Sequence, residues 1–260
     1  MKSKYMKSPI SWVGGKSRMI KKLLPMIPDH KGYVEVFGGA GWLLFGKEAS
    51  KWEVLNDYDS NLMNFWWVVK NCPDQLIESF NFTLISRETF MQYKEIYKQN
   101  EYEDCIERAH IFYYLVKAGF GSSIVNPSFG TAKGKSNLNI DKIHDDILNT
   151  YERLKRVTIE NKSFEDIIRI YDSPETFFFM DPPYRNTCDY PVGHFTDEQY
   201  IKLAELCKSM KSKFMITINK DKFIRDIFKG FHIMEQEVRY SLCKDISGRR
   251  NYGEFIISNH

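Results

Sequence analysis

The sequence lacks the features that mark several common classes of protein. No apolar run in its 260 residues approaches the roughly 18 residues of a membrane-spanning helix. Its five cysteines lie far apart, without a Cys-x-x-Cys pair or a cysteine–histidine cluster at zinc-ligand spacing. The basic segment Met1 to Ile10 is not followed by the apolar core of a secretory signal. These absences predict a cytoplasmic protein with reduced thiols, no membrane segment and no metal site.

Two phosphate-binding patterns are present only in part. Gly14-Gly15-Lys16-Ser17 lacks the glycine that a P-loop carries five residues before its Gly-Lys pair, because Ile10 stands there. Phe37-Gly38-Gly39-Ala40-Gly41 lacks the third glycine of the dinucleotide fingerprint. An ATPase and an enzyme that uses NAD or FAD are therefore disfavoured.

Basic side chains are unevenly distributed, although the net charge is only +3. Residues 1–22 hold seven basic side chains and no acidic one, and residues 202–250 hold twelve basic and six acidic ones. Two basic blocks that meet on one face can neutralise the phosphates of a nucleic acid. An ordinary lysine-rich surface has the same composition, and charge alone favours that interpretation because mixed surfaces of this kind are common.

Alternating strand and helix patterns predict an α/β fold with a Rossmann-like, mostly parallel sheet. The run Tyr33 to Phe37 reads as a strand, Trp42 to Ser50 as a helix, and Trp52 to Asn56 as a second strand. We expect the sheet to resume after residue 155 with strands over Val157 to Glu160, Thr176 to Met180 and Lys213 to Ile218, a helix over Thr196 to Met210, and an antiparallel C-terminal pair formed by His232 to Tyr240 and Glu254 to Ser258.

The sequence between these two sheet-forming parts is mainly helical in pattern. We expect helices over Leu62 to Lys70, Glu88 to Gln99, Cys105 to Ala118 and Asp141 to Arg156, and a glycine- and serine-rich loop over Gly119 to Asn139. The prediction is therefore one domain formed by residues 1–59 and 156–260, interrupted by a helical insertion of residues 60–155.

A glycine turn and a following acid suggest a nucleotide-like cofactor. Gly39 and Gly41 permit positive φ angles and a close approach of the backbone to a ligand. Asp57 ends the next strand about 20 residues later, where nucleotide folds place the carboxylate that binds ribose hydroxyls. A structural turn with a surface aspartate has the same pattern. S-adenosylmethionine has no pyrophosphate and needs fewer glycines than a dinucleotide.

The tetrapeptide Asp181-Pro182-Pro183-Tyr184 directly follows a buried strand, where open α/β sheets bind ligands. Its prolines fix two φ angles and remove two N–H donors, so the turn presents hydrogen-bond acceptors. Two acceptors aimed at an adenine amine would localise its lone pair for attack on a sulfonium methyl group. Tyr184 would stack on a base flipped out of a duplex. A rigid loop is the alternative interpretation.

With these motifs the chain resembles the Dam-like (D12 class) family of DNA adenine N6-methyltransferases over nearly its whole length. The similar segments, in the family's order, are Trp12 to Lys16, Glu35 to Gly41, Asn56-Asp57, Ser163-Phe164 and Asp181 to Tyr184. Each motif is modest alone, but the five in order are specific.

The resemblance implies S-adenosylmethionine as the methyl donor and a role for each matching residue. The implied catalytic residues are Asp181, Pro182 and Tyr184, and the implied cofactor-binding residues are Trp12, Lys16, Phe37, Gly39, Gly41, Asp57, Phe164 and Asp181. We expect Lys16 to neutralise the methionine carboxylate. No metal is expected, because the sulfonium already activates the methyl group.

The resemblance also implies that the helical insertion reads double-stranded DNA. Candidate DNA-binding residues in or near the loop are Lys117, Ser122, Ser123, Asn126, Lys133 and Lys135. Arg239, Arg249 and Arg250, together with Glu254, are similar to the family's C-terminal pattern, and we expect these arginines to contact phosphates. Asn126 to Gly130 is a variant of the family's Asn-x-Pro-Phe-Gly stretch. Gly119 to Val125 has no arginine and Ser128 interrupts that stretch, so recognition of GATC is not implied.

Several alternatives stay open at this point. The same chemistry on RNA or another planar amine is one, although cytosine N4 enzymes typically carry Ser where Asp181 stands. A catalytically silent DNA-binding relative is another, and the intact tetrapeptide argues against it. A cognate restriction endonuclease is an open question as a partner, and no oligomeric state is predicted.

Overall fold

The structure is a computed structural model, and it contains one seven-stranded sheet. It describes residues 6–12, 14–122, 124–130, 138–185, 193–239 and 251–260, with Ser122, Val238, Arg239, Asn251 and Tyr252 described in their backbone only. The strands are β1 (Gly32–Glu35), β2 (Trp52–Asn56), β3 (Val157–Glu160), β4 (Thr176–Met180), β5 (Lys213–Asn219), β6 (His232–Arg239) and β7 (Asn251–Ser258).

Helices connect the strands. The α-helices of the described residues are α1 (Ile20–Leu23), α2 (Trp42–Gly46), α3 (Ser60–Asn71), α4 (Pro73–Ser79), α5 (Arg87–Gln99), α6 (Cys105–Ala118), α7 (Ile140–Leu154), α8 (Phe164–Tyr171), α9 (Asp197–Ser209) and α10 (Lys222–Ile227). Short 3₁₀ turns lie at Lys16–Arg18, Leu24–Met26 and Phe120–Ser122.

The strand order is β3-β2-β1-β4-β5-β7-β6. The first five of these strands are parallel, and β7 runs antiparallel between β5 and β6. The predicted fold class is thus confirmed, including the antiparallel C-terminal pair. The chain leaves β1 toward β2 on one side and returns through β4 on the other. Ligands of open α/β sheets bind at such a switch point, outside the carboxyl ends of the strands.

Side chains of the sheet alternate between two cores, as the two-residue repeat of a strand requires. Tyr33, Leu55 and Phe179 pack in one core with residues of α3, α6 and α7. Val34 and Phe178 face the other way and pack with α8 and α9. The helices of residues 60–155 therefore share their apolar core with one face of the sheet. The division of the chain into two domains stays a prediction.

A buried ionic cluster also joins α7 to the sheet. Arg153 donates to Glu53 Oε1 over 2.9 Å and to the Leu44 carbonyl over 2.7 Å, and Lys47 forms a salt bridge with Glu53. Removing one member would leave a buried charge uncompensated, which costs about 3–5 kcal/mol in comparable sites. The helical segment is therefore fixed to β2 by both packing and charge.

Several element boundaries differ from the sequence-based prediction. The helix predicted over Trp42 to Ser50 ends at Gly46, because Lys47 adopts an extended backbone and its side chain binds Ser50 and Glu53. Strand β1 ends at Glu35, two residues before the predicted end. Helices α1, α4, α8 and α10 were not predicted, since each is at most eight residues long and short helices give a weak periodic signal.

Candidate active site

A cavity of about 310 Å³ opens at the carboxyl ends of β1 and β4, the switch point of the sheet. This volume is at the lower end of the range for small-molecule sites. The structure brings most of the predicted cofactor-binding and catalytic residues together on its wall, namely Trp12, Lys16, Phe37, Gly39, Asp57, Phe164, Asp181, Pro182 and Tyr184. Gly41 is not part of the wall.

The glycine turn after β1 lies against the N-terminal segment. Gly39 has a φ of 50° and Gly41, which precedes α2, has a φ of 64°, so both use the left-handed region that favours glycine. A Cβ added to Gly39 would lie 2.9 Å from Cδ1 of Trp12. The turn and the Trp12 ring are therefore in close contact, which leaves no space for a side chain at residue 39.

The Asp57 carboxylate closes the glycine turn. Its Oδ2 accepts from the Gly39 N–H over 2.9 Å and its Oδ1 accepts from the Asp59 N–H over 3.0 Å. Burial nevertheless raises the pKa of Asp57 to about 6. Asp57 is thus held in a fixed orientation at the end of β2.

Three phenylalanine rings form the apolar part of the wall. Phe37 and Phe164 stack with their centroids 5.9 Å apart at an interplanar angle of 29°. Phe195 contacts both rings, at 5.7 Å from Phe37 and 5.3 Å from Phe164. Phe164 is brought here because Ser163 caps α8 and starts the helix at the cavity. Such a cluster suits the flat face of a heteroaromatic ring.

Lys16 is buried, with 3% of its side chain exposed. Its ammonium donates to Asp181 Oδ1 over 2.7 Å and to the Gly14 carbonyl over 2.9 Å, and it lies 4.6 Å from the centroid of the Tyr184 ring. The predicted contact of Lys16 with a methionine carboxylate is untested. The structure instead places Lys16 directly on the proposed catalytic carboxylate.

Asp181 is the charged centre of the tetrapeptide. Thr217 on β5 donates to the same Oδ1 over 2.7 Å. Burial raises the pKa of Asp181, and the Lys16 ammonium and the Thr217 hydroxyl act in the opposite direction. Within the described residues Oδ2 accepts no hydrogen bond, and this oxygen remains available to a ligand in the cavity.

The rest of the tetrapeptide is held by neighbouring elements. Tyr200 on α9 donates to the Pro183 carbonyl, and the Tyr184 hydroxyl donates to Glu254 on β7. The next residue, Arg185, exchanges two backbone hydrogen bonds of 3.0 Å with the Asn219 side chain. The tetrapeptide is therefore a fixed turn rather than a free loop.

A second buried acid lies beside the first. Glu35 at the end of β1 accepts from the Tyr33 hydroxyl over 2.8 Å and from the Leu44 N–H over 2.9 Å. Burial raises the pKa of Glu35 to about 8, and the neighbouring Asp181 adds to the rise. Glu35 is therefore largely protonated at neutral pH in the folded chain.

The sequence that forms this site matches a known protein family. The model of the D12 class N6 adenine-specific DNA methyltransferases matches residues 12–242, which includes every wall segment described above. The chain belongs to this family. Family membership, adenine specificity and methyltransferase activity, which the order of motifs predicted, are thus confirmed.

Individual relatives agree with this family. The methyltransferase is 30% identical over 268 residues to type II methyltransferase M.CviBI of Paramecium bursaria Chlorella virus NC1A, with 98% of both chains covered. It is 27% identical to type II methyltransferase M.MjaIII of Methanocaldococcus jannaschii, with 96% of this chain and 98% of the relative covered. It is 22% identical to the DNA adenine methylase of Escherichia coli K12, with 95% and 93% covered.

The structure describes the side chains of only two of the predicted DNA-binding residues. Lys117 donates to the Pro9 carbonyl over 3.1 Å, and Asn126 is exposed and accepts from Lys94 over 2.9 Å. Ser123, Lys133, Lys135, Arg249 and Arg250 lie outside the described residues, and Ser122 and Arg239 are described in their backbone only. Their contacts with DNA stay predictions.

Sequence reasoning assigned no role to several residues of the site. Thr217 and Glu254 are fully buried polar residues next to apolar stretches of their strands, and that contrast is a usable signal. Glu35 is the first residue of the motif Glu35 to Gly41, but the sequence assigned no role to it. Phe195 belongs to none of the motifs singled out in the sequence. Its contact with Phe164 depends on the path of the chain between β4 and α9.

The remaining class predictions concern metal sites and membrane-spanning segments. In the described part of the chain, no three His, Cys, Asp or Glu side chains come together as a group able to hold a metal ion. No helix among the described residues is long and apolar enough to span a membrane.

Proposed function

We propose that this methyltransferase takes its methyl group from S-adenosylmethionine and transfers it to adenine N6 in a specific sequence of duplex DNA, after the adenine has been flipped out of the base stack. The observation that carries the proposal is the Asp181 carboxylate, which the described residues Lys16 and Thr217 hold on the cavity wall through Oδ1. Its other oxygen is left for an amine in the cavity.

The cavity wall fits the proposed donor. The ring cluster of Phe37, Phe164 and Phe195 suits an adenine ring, and the Asp57 carboxylate suits ribose hydroxyls. More acidic than basic side chains line the cavity, which suits a donor with a positive sulfonium and a positive ammonium group. When bound, S-adenosylmethionine supplies a methyl group that its positively charged sulfur already activates.

The chain's own residues prepare the amine. Asp181 Oδ2 and the Pro182 carbonyl, which accepts no hydrogen bond within the described residues, accept the two hydrogens of N6. The nitrogen lone pair would then be directed at the methyl carbon of a bound donor, whose carbon–sulfur bond would break with its electrons left on sulfur. One N6 proton passes to the Asp181 carboxylate, whose raised pKa suits it to this task.

Tyr184 supplies the flat surface for the target base. Its ring lines the cavity next to Asp181, and its hydroxyl is fixed at Glu254. An adenine within a duplex cannot reach a carboxylate in this cavity, so it must leave the base stack first. Stacking on Tyr184 offsets part of the stacking that the base loses in the duplex.

DNA recognition is proposed for the helical segment of residues 60–155. Residues 124–130 come shortly after α6 in the chain. Their exposed side chains include Val125 and Asn126. Asn126 is a suitable base-reading residue because its amide can both donate and accept. The basic candidates Lys133, Arg239, Arg249 and Arg250 are proposed to contact DNA.

A pairing with a restriction endonuclease is the proposed biological role, because M.CviBI and M.MjaIII, both similar over nearly the whole chain, are named type II methyltransferases. The DNA adenine methylase of Escherichia coli K12 is also similar, at lower identity. A methyltransferase without a nuclease partner is therefore the second candidate. Resistance of methylated plasmid to endonuclease activity from the same source would support the pairing, and continued cleavage would contradict it.

The proposal is tested by measuring N6-methyladenine. Purified protein is incubated with plasmid DNA and S-adenosylmethionine, the DNA is digested to nucleosides, and mass spectrometry quantifies the product. We expect N6-methyladenine from the wild type, a loss of at least about a thousandfold for Asp181→Ala, and unchanged activity for the exposed control Asp145→Ala. Sequencing of the methylated positions gives the recognition site.

The substrate is tested in competition. Equal amounts of duplex DNA, single-stranded DNA and RNA are offered together, and methylation of each is measured. Preference for duplex DNA is expected. Preference for RNA, or full activity of a folded Asp181→Ala variant, would overturn the proposal.

A further inference from the structure

Glu254 is an acidic side chain with no exposed surface, located on β7 inside the sheet. Burying a carboxylate is costly unless it has hydrogen-bonding partners. One partner is the hydroxyl of Tyr184, which donates to Glu254 Oε1. A buried acid beneath the proposed base-stacking residue calls for an explanation beyond packing, because an apolar residue would fill a sheet interior at lower cost.

The antiparallel pairing of β5 and β7 explains how Glu254 comes to this position. Glu254 is directly opposite Asn219, and residues directly opposite in an antiparallel pair share a face of the sheet. Thr217 is two residues before Asn219 and lies on that same face. Thr217 binds Asp181, Asn219 binds the backbone of Arg185, and Glu254 binds Tyr184. One face of β5 and β7 therefore holds residues 181–185, which we call the catalytic turn, at three points.

The contact fixes what the backbone of the turn leaves free. The prolines limit the backbone of the tetrapeptide, but they do not determine the χ angles of Tyr184, whose side chain is only partly buried. A hydrogen bond from its hydroxyl to the buried Glu254 side chain holds the far end of the ring, and a buried acceptor of this kind is costly to leave without its donor. The ring is then held before any base arrives.

We propose that Glu254 is a positioning residue for methyl transfer: through the Tyr184 hydroxyl it sets the orientation of the ring on which the flipped adenine stacks. This inference rests on the proposed role of Tyr184 as the stacking surface. Substitution of Glu254 should therefore change the rate of the chemical step and the stacking of the base, and should have little effect on the affinity for the methyl donor.

The experiment compares Glu254→Leu, Glu254→Gln, Tyr184→Phe and the double variant Tyr184→Phe/Glu254→Leu. The single-turnover methylation rate is measured at saturating DNA and S-adenosylmethionine. In parallel, 2-aminopurine replaces the target adenine of the mapped site, because its fluorescence rises when it leaves the base stack and falls when it stacks on an aromatic ring. Affinity for S-adenosylmethionine is measured by calorimetry as a check on folding.

The expected rates follow from the hydrogen bond. Glu254→Leu and Tyr184→Phe should each lower the single-turnover rate about tenfold, and the double variant should be no slower than the slower single variant. Glu254→Gln keeps an acceptor and should stay within about threefold of the wild type. The 2-aminopurine signal should be brighter in Glu254→Leu than in the wild type, with donor affinity within about twofold.

Clear outcomes would overturn the inference. A folded Glu254→Leu variant with the wild-type rate and the wild-type fluorescence would do so, as would losses that multiply in the double variant. If Glu254→Leu does not fold, Glu254→Gln is introduced into the Tyr184→Phe variant. A rate lower than that of Tyr184→Phe alone contradicts the proposal. Absence of adenine methylation by the wild type would instead overturn the proposed function itself.

Discussion

The catalytic turn and the segment of residues 124–130 are both irregular stretches of chain, but they are held in opposite ways. The turn is anchored by the buried side chains of Thr217, Tyr200 and Glu254, each with no exposed surface. The segment rests on α5, where Lys94 donates to Asn126 and to the Pro127 carbonyl and is partly exposed.

The side chains of the two stretches differ in the same sense. In the turn, the Asp181 side chain is 18% exposed and its functional group is directed into a cavity. In the other stretch Val125 is 47% exposed, and Phe120, shortly before it, is 54% exposed. Chemistry that all members of a family share requires fixed acceptors, whereas recognition of a particular sequence requires side chains that reach the partner. Substitutions in the two regions should therefore have different kinetic signatures.

The largest difference is expected from Lys16→Met. This change removes the ammonium that favours the ionised form of Asp181, so the pKa of Asp181 should rise further. Because the carboxylate is the proposed acceptor, activity is lost as the pH falls through that pKa, and the loss should begin at a higher pH than in the wild type. We expect a rate about a hundredfold lower at pH 7, with partial recovery at pH 9.

The pH profile of the single-turnover rate checks this prediction. Lys16→Arg should restore much of the rate, and Lys21→Met, a change at an exposed lysine on α1, should have none of these effects. A profile for Lys16→Met that is lower at every pH but unshifted would show that Lys16 acts on the donor and not on Asp181.

A smaller effect of another kind is expected from Lys94→Met. The change releases Asn126 and Pro127 from α5 and leaves the catalytic turn untouched. The KM for DNA should rise about fivefold while kcat stays within about twofold. Lys98→Met, one turn further along α5 at an exposed position, is the matched control. A fall in kcat with constant KM would remove the distinction between the two regions.

The smallest effect concerns stability and comes from Glu35→Gln. The pKa of Glu35 in the folded state is raised from 4.5 to about 8, so the folded state favours the protonated side chain. The contribution of this protonated side chain to the free energy of unfolding is lost as the pH rises through 8. The free energy of unfolding of Glu35→Gln, relative to the wild type, should therefore increase between pH 5 and pH 8, by on the order of 3 kcal/mol.

Urea unfolding of the protein without ligands, measured across this pH range, checks the Glu35 prediction. Exposed Glu101→Gln should follow the wild-type curve. A constant difference between Glu35→Gln and the wild type would mean that Glu35 is ionised in the folded chain already at pH 5.

Much of the fold could be predicted because its signals are local. The strands around Val34, Val54 and Phe178 are runs of β-branched and aromatic residues, and the glycine turn and the tetrapeptide directly follow two of them. Parallel strands bring their carboxyl ends to one edge, so the meeting of Gly39, Asp57 and Asp181 was also predictable. Short helices such as α8 and the early end of α2 were missed, because side-chain caps and ion pairs decide them.

The sequence by itself determined the class of chemistry, since an ordered set of motifs with a fixed acceptor turn after a buried strand suits few reactions. Only the tertiary structure decided how that turn is held. The contacts of Asp181 with Lys16 and Thr217 join residues 165 and 36 positions apart along the chain, and that of Tyr184 with Glu254 spans 70. Contacts at such separations depend on strand order and register, and these are set by packing of the whole sheet rather than by local sequence.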